Sequence, residues 1–582
     1  MMRLRIVTAM IVVAFLAGCS GIPTTGPVIS ETRRSSDSGV GGITIVPQSP
    51  PQGASQTMII RGFLTAMASF GLDYATAREY LTEEAAAGWY PKVSDVLIYA
   101  SGTTPRVSGT QVTMSAPVIG FLRPDGSFVG ADEPIWTHDF GMVKEDNEWR
   151  ISTPPEGLAL SQYMFSQSFM RIDTYFFPEN SSVLVPDPRY VHRGAWDRTS
   201  AANLVVSGPS RWLESIIDTS IREEVHLADD VVLGDLRTAE IPLSPGALKL
   251  SIEDATTLAI EIAATMRELP GVDRIRLTCE GSPLPLMGAT ADRSIPVSAA
   301  QAYDPSDSTG PRRTLSMVRN NLVATLVDNQ VIPVEGDWGT TPRQIRSFAV
   351  SESMTEIAGV VDDSLLVGKI HGDPPAVRIQ TAGLLRPHYD SRGNLWAFAS
   401  HDGRNTLSMI TPDTVVTIDA STLNGMEIRG FQVAPDGHRI LMLREADQAS
   451  EGSRMELGIA MIVYEQEVPA AIISWKPIRL TWESSPIRSI VDMGWMGPSS
   501  LVVLGSTGGS HPGVFFTDID GLGVEEWGQP QAWDSTQMVV RATDAGPQII
   551  VLDVQGSAWF YQDGYHWTRP ETDALTSVAL PP

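Results

Sequence analysis

The chain runs to 582 residues with 68 acidic against 42 basic side chains, a formal net charge of −26. That length is enough for about three or four domains. The acidity excludes a nucleic-acid partner, which needs a basic patch to neutralise phosphates, and reads as a solvated surface. There are only two cysteines, Cys19 and Cys279, so no disulfide framework holds the chain together.

The first 18 residues have three parts: Arg3 and Arg5, an apolar run over 6–17, and small residues Ala17 and Gly18 before Cys19. The run is shorter than the roughly 20 apolar residues a spanning helix needs, and the pattern is that of a secretory signal. Leu16-Ala17-Gly18-Cys19 resembles the bacterial lipobox. That resemblance implies cleavage before Cys19, a diacylglyceryl group on its thiol and an acyl chain (palmitate) on its freed amino group. The protein would then sit on the cell membrane, anchored by lipid on the extracytoplasmic face. The alternative is an uncleaved signal anchor with an incidental cysteine. Each buried methylene contributes about 0.8 kcal/mol, so two or more chains hold firmly. Residues 19–55, rich in Ser, Thr, Gly and Pro, read as a flexible linker with a reach of about 30 Å.

A first α+β domain is expected over 56–155. Ile59, Ile60, Phe63, Leu64, Met67 and Phe70 recur at helical spacing. Gly71 ends that helix, and Asp73 is placed to cap a second one through "YATAREYLTEEAAAGW". β-type runs follow, with Asp125-Gly126 as a turn between strands. Thr153-Pro154-Pro155 marks the domain's end. The order of helices and then strands is similar to small NTF2-like domains, in which a curved sheet wraps a helix.

A second α+β domain is expected over 160–290. Two strand-like runs flank 178–182, and Ser251 and Asp254 are spaced as a capping box. Behind that box Ala255, Leu258, Ala259, Ile262, Met266 and Leu269 stripe one helical face, Pro270-Gly271 stops the helix, and "RIRLTCEG" returns as a strand. Cys279 in that strand reads as a small buried residue. Tyr175-Phe176-Phe177, Leu184-Val185-Pro186 with Arg189, and Leu204-Val205 with Gly208-Pro209 resemble the GerMN domain of spore-germination proteins.

Residues 310–582 contain five alignable lines and an earlier degenerate one, at spacings of about 40 to 60 residues. Each has a strand, a turn, an apolar strand, a polar loop and a further strand, the turns centring on Arg392-Gly393, Asp436-Gly437 and Gly497-Pro498. The expectation is an all-β propeller of about six blades. A β-sandwich is the runner-up, but it leaves the period unexplained. With lipobox, GerMN region and propeller in this order, nearly the whole chain resembles the actinobacterial LpqB lipoprotein family. The resemblance implies an accessory role toward the extracytoplasmic domain of a two-component sensor histidine kinase, in cell-envelope homeostasis.

No catalytic motif holds. The sequence lacks H-E-x-x-H, C-x-x-C, S-x-x-K and G-x-S-x-G. Ser510-His511 is followed by Pro512 where an elbow needs glycine, and reads as a loop between blade strands. Asp518, Asp520 and Gly521 suggest a calcium loop, but Phe516 and Trp527 occupy ligand positions and exclude an EF-hand. The histidines form no metal pair, Glu83-Glu84 and Asp362-Asp363 read as solvated, and neither cofactor, metal nor enzymatic activity is expected. The alternative function is binding of peptidoglycan or another wall glycan, with or without hydrolysis, at the GerMN region or the propeller mouth. There Trp396, Trp495, Trp527 and Trp559 could stack on sugars or pack in the core.

Overall fold

The computed structural model describes residues 47–582 apart from short stretches at 70–71, 93–94, 132–134, 220–221, 306–312, 328–329, 447–454, 483–484, 509–510, 531–533 and 572–573. The signal segment, Cys19 and most of the linker lie outside the described residues. The last linker residues are already fixed to the first domain: Tyr80 Oη donates to Gln48 O at 2.7 Å and Gly53 N to a Glu148 carboxylate oxygen at 2.9 Å.

The first domain packs the helix Gln56–Ala66, capped by Ser55, against a seven-stranded sheet. Ile59, Ile60, Phe63 and Leu64 form its buried face, as the spacing predicts. The second helix is not one helix. Thr82 N donates to Ile151 O at 2.9 Å, which draws the chain onto the sheet edge, and the Thr82 side chain then caps a new helix Glu83–Gly88 after a short Ala75–Arg78. Nor does Asp73 act as a cap: it lies at φ +54° and pairs with Arg78 at 3.2 Å. The domain also continues past Pro155, because Ala159–Ser161 adds a strand parallel to Val96–Tyr99 in the same sheet.

In the second domain Phe169–Phe176 pairs with Val185–His192 as a hairpin. The helix Ile252–Met266 connects two parallel strands, Thr238–Leu243 and Arg274–Cys279, of a five-stranded sheet. Its Ser251–Asp254 capping box is formed, and every residue from Leu258 to Met266 is buried. Such burial suits a crossover helix covered on several sides. Cys279 is buried beneath this layer.

Six four-stranded antiparallel sheets among the described residues form the propeller. Five run in chain order outward from the axis, beginning at Ile345–Val350 (blade 2), His388–Tyr389 (blade 3), Ile428–Val433 (blade 4), Ser489–Gly497 (blade 5) and Ser535–Arg541 (blade 6). Blade 1 is composite: the C-terminal strand Leu575–Ala579 is its innermost strand and pairs with Ser316–Arg319. This pairing closes the ring and leaves no open sheet edge between first and last blades.

Candidate functional site

Three places concentrate polar chemistry: a joint where the domains meet, the propeller channel, and a cleft in the second domain. The joint is built on the strand Val185–His192. Arg189, 2% exposed, donates through Nε and Nη2 to Asp187 Oδ2 at 2.9 and 2.7 Å, and from Nη2 to Gly208 O at 3.1 Å. Asp187 also accepts from Ser210 N at 2.7 Å, Ser210 Oγ at 2.6 Å and Trp212 Nε1 at 3.2 Å. The GerMN-like residues Arg189 and Gly208 thus meet around one carboxylate.

The same strand touches both neighbouring domains. Arg189 donates to Asp125 O, and Tyr190 N donates to Gly126 O at 2.7 Å. Gly126 lies at φ +82°, and a Cβ there would come within 3.2 Å of Tyr190 O, so the turn needs glycine for both conformation and approach. From the propeller side, Arg439 is clamped by Asp436 Oδ2 at 2.9 and 2.6 Å, donates to Pro186 O at 3.5 Å and lies over the Trp495 ring.

Beside these pairs sits a joint with surplus negative charge. Arg171 pairs with Asp173 at 2.8 Å and Asp518 at 3.5 Å, and donates to Ser499 O at 3.3 Å. Tyr190 Oη donates to Asp520 Oδ1 at 3.5 Å. Burial, only partly offset by Arg171, pushes the Asp518 carboxyl up to about 7, with Asp520 and Asp173 adding to the rise. Burial also raises Asp520, whose Oδ2 accepts no hydrogen bond. The two aspartates of the failed calcium loop are therefore counter-charges to Arg171, a role no local spacing signals.

Side chains bridge the propeller channel, and a cavity of about 80 Å³ remains at the inner strands among His388, Gln432, Trp495 and Arg541. Arg386, ahead of the inner strand of blade 3, reaches across to Asp492 Oδ1 at 2.7 Å and Met538 O at 3.4 Å, on blades 5 and 6. Asp492 accepts further from Met493 N at 2.9 Å and Met538 N at 2.8 Å. Nearby, burial holds His388 down to about 4 while its Nε2 faces Val433 O at 3.2 Å. Asp390 is occupied by Asn394 and by Trp396 Nε1 at 2.8 Å. No cluster of three potential metal ligands occurs among the described residues.

All four tryptophans have packing or hydrogen-bond partners, Trp527 and Trp559 are half-buried, and Trp495 also lines the cavity at the propeller axis. Trp396 is fully buried, Trp495 is 8% exposed with Nε1 on Gln432 O, Trp527 stacks between Phe516 and Tyr561, and Trp559 donates to Asp553 beneath Arg569. Ser510 and Cys19 lie outside the described residues. Glu83 and Glu84 occupy the first turn of their helix, and Asp362-Asp363 sits in a turn of blade 2.

Three family models cover most of the chain: the N-terminal domain of lipoprotein LpqB over residues 49–166, a sporulation and spore-germination (Germane) domain over 173–285, and the lipoprotein LpqB beta-propeller domain over 320–578. The chain belongs to the LpqB lipoprotein family. LpqB lipoproteins similar along their length include that of Cutibacterium acnes, 28% identical with 97% of each chain covered. That of Thermobifida fusca is 24% identical, covering 87% of this chain and 88% of the relative. That of Streptomyces coelicolor is 25% identical, covering 88% and 87%. Among solved structures, a chain of a nidogen/laminin complex aligns at 10% identity and a TM-score of 0.30 over 46% of this chain and 97% of that one. Membership of a lipoprotein family agrees with a lipid anchor, and no helix among the described residues is long and apolar enough to cross a membrane.

Proposed function

We propose that lipids on Cys19 hold this chain at the extracytoplasmic face of the cell membrane, where it serves as a non-catalytic regulatory partner of a two-component sensor histidine kinase in cell-envelope homeostasis. The observation that supports this reading is the domain set, an LpqB N-terminal domain, a Germane domain and an LpqB propeller in one chain. The mechanism is differential affinity. A partner that binds one kinase conformation more tightly shifts its population by that difference. Tethering both proteins to one membrane raises effective concentration, so modest affinity suffices.

The test is a pull-down of residues 21–582 with the kinase sensor domain and, separately, with purified peptidoglycan. Retention by the sensor domain is expected; retention on peptidoglycan alone would overturn the regulatory reading in favour of a glycan binder. The anchor is tested by Cys19→Ala, which should release the chain from membranes with its domains folded. A variant that still pellets with membranes after a high-salt wash would show that lipid is not the anchor.

A further inference from the structure

In the cleft beside the helix Ile252–Met266, the lining carboxylates Glu179, Glu253 and Glu467 are all exposed, so water satisfies them. The joint between the hairpin strand Phe169–Phe176 and blade 5 is the reverse: charged groups sit there out of water with incomplete partners. Arg171 pairs with Asp173 of its own strand and with Asp518 of blade 5, and Asp520 adds its charge to the same guanidinium. One cation thus faces three carboxylates. Three buried side-chain atoms at this joint make no hydrogen bond: Ser499 Oγ, Asp520 Oδ2 and Arg171 Nε, which meets Asp518 as an ion pair only. Asp520 is 6% exposed, and with Ser127, Trp212 and Lys476 it lines a cavity of about 10 Å³ where the three domains meet. That is no more than one water fills.

The other arginines that cross domain boundaries are better served. Arg189 and Arg439 each hold an aspartate by two hydrogen bonds, whereas Arg171 holds Asp173 by one. A partly satisfied buried network is the weak point of a structure. The charged and titratable groups around it come from every side. Asp518 faces Arg171, Asp173 and Tyr190 from the hairpin, and Asp520 and Glu525 from its own blade. Asp520 faces Arg171, Tyr190 and Lys476. Lys476, its ammonium 5.2 Å from the Trp212 ring centre, faces Asp187 and, from the N-terminal domain, Arg123 and Asp125.

We infer that this joint is a proton-operated latch: a proton on Asp518 lets the strand Phe169–Phe176 seat against blade 5, and its loss drives that strand and the loop over 518–522 apart. The inference goes beyond the kinase reading and stands or falls without it. Like charges confined out of water repel, and opening relieves them by hydration. The movement is local, because Arg439 on Pro186 O still ties the hairpin's second strand to the propeller. In the closed joint Asp518 is held up to about 7; exposed to water it returns toward 3.8. The opening constant therefore rises about tenfold per pH unit between those values and levels off above them.

Hydrogen–deuterium exchange on the full chain in detergent tests it, from pH 5 to pH 8, with rates corrected for the base-catalysed exchange of unstructured peptide. Local opening is read directly as lost protection. Peptides covering 169–176 and 518–522 should lose about 100-fold in protection between pH 5 and pH 8, while the helix Ile252–Met266 keeps its own. Asp518→Asn, which carries no ionisable carboxyl, should hold the joint's protection constant across that range. Asp173→Asn removes a like charge and frees Arg171 for Asp518, so it should leave a smaller loss, centred at lower pH. Four results would each overturn the proposal: protection at the joint that does not change with pH, a loss that spreads equally to the helix Ile252–Met266, a full loss persisting in Asp518→Asn, or an Asp173→Asn profile identical to wild type.

Discussion

The joint and the cleft use the same residue types to opposite ends. At the joint Arg189 and Arg439 are fully withdrawn from water, and each is locked by an aspartate two or three residues away before it donates across a domain boundary. At the cleft mouth Glu179, Glu253 and Glu467 are exposed and have no counter-charge among the described residues. A buried charge must find its partners inside the protein, since the cost of desolvation is otherwise unmet. An exposed one is free to find them outside. The first arrangement ties neighbouring domains together; the second leaves its carboxylates to solvent.

Removing one partner of a locked pair gives the sharpest contrast. Arg189→Ala leaves Asp187 buried without its cation and should cost about 3–5 kcal/mol. Guanidinium unfolding should show the second domain melting early, and limited proteolysis should open the 123–127 turn against which Arg189 packs. Arg439→Ala should cost a similar amount while freeing the propeller from Pro186 O. A loss below about 1 kcal/mol in either variant would mean that these arginines are solvated and that the comparison fails.

Asp518 lies between the two extremes, one-fifth exposed and held near 7 by burial. Its folded pKa stands above the ordinary 3.8, so the folded state binds the proton more tightly than the unfolded one. The stability it contributes is present below pH 4 and lost as pH rises through about 7. Across pH 5 to 8 the wild-type melting temperature should therefore fall, and Asp518→Asn should flatten that slope and melt higher at pH 8. An unchanged slope in the variant would assign the pH dependence to other groups.

Local order was legible where its causes are local. The Ser251–Asp254 box and the apolar stripe behind it predict the helix that forms, because capping and periodicity act within a few residues. The blade period is legible for the same reason. The outer strands, as short as Glu525–Glu526, carry too little pattern to be read, and closure through Leu575–Ala579 depends on a partner more than 250 residues away. Asp73 fails as a cap because Arg78 and the sheet edge compete for that segment. The joint was hidden for the strongest version of this reason: Arg171 meets Asp518 and Tyr190 meets Asp520 across more than 300 positions. Arg189 stood out only as a GerMN-like residue, with nothing to indicate Asp125 as its neighbour.

The smallest expected effect is also the one that separates the two regions most cleanly. Glu253 and Glu467 touch no cation among the described residues, and Glu253 sits in the first turn of the helix Ile252–Met266. A carboxylate there gains a few tenths of a kcal/mol from the helix dipole, about 0.3–1 at low salt. Replacing it with glutamine should cost no more than that, and Glu467→Gln should stay within about 0.5 kcal/mol of wild type. Both differences should shrink further in salt, because the charges are solvated. Thermal melts at low and high salt measure this directly. A loss of several kcal/mol in either variant would show that the cleft carboxylates support the fold as Asp187 and Asp436 do. The distinction between a closed joint and an open cleft would then be lost.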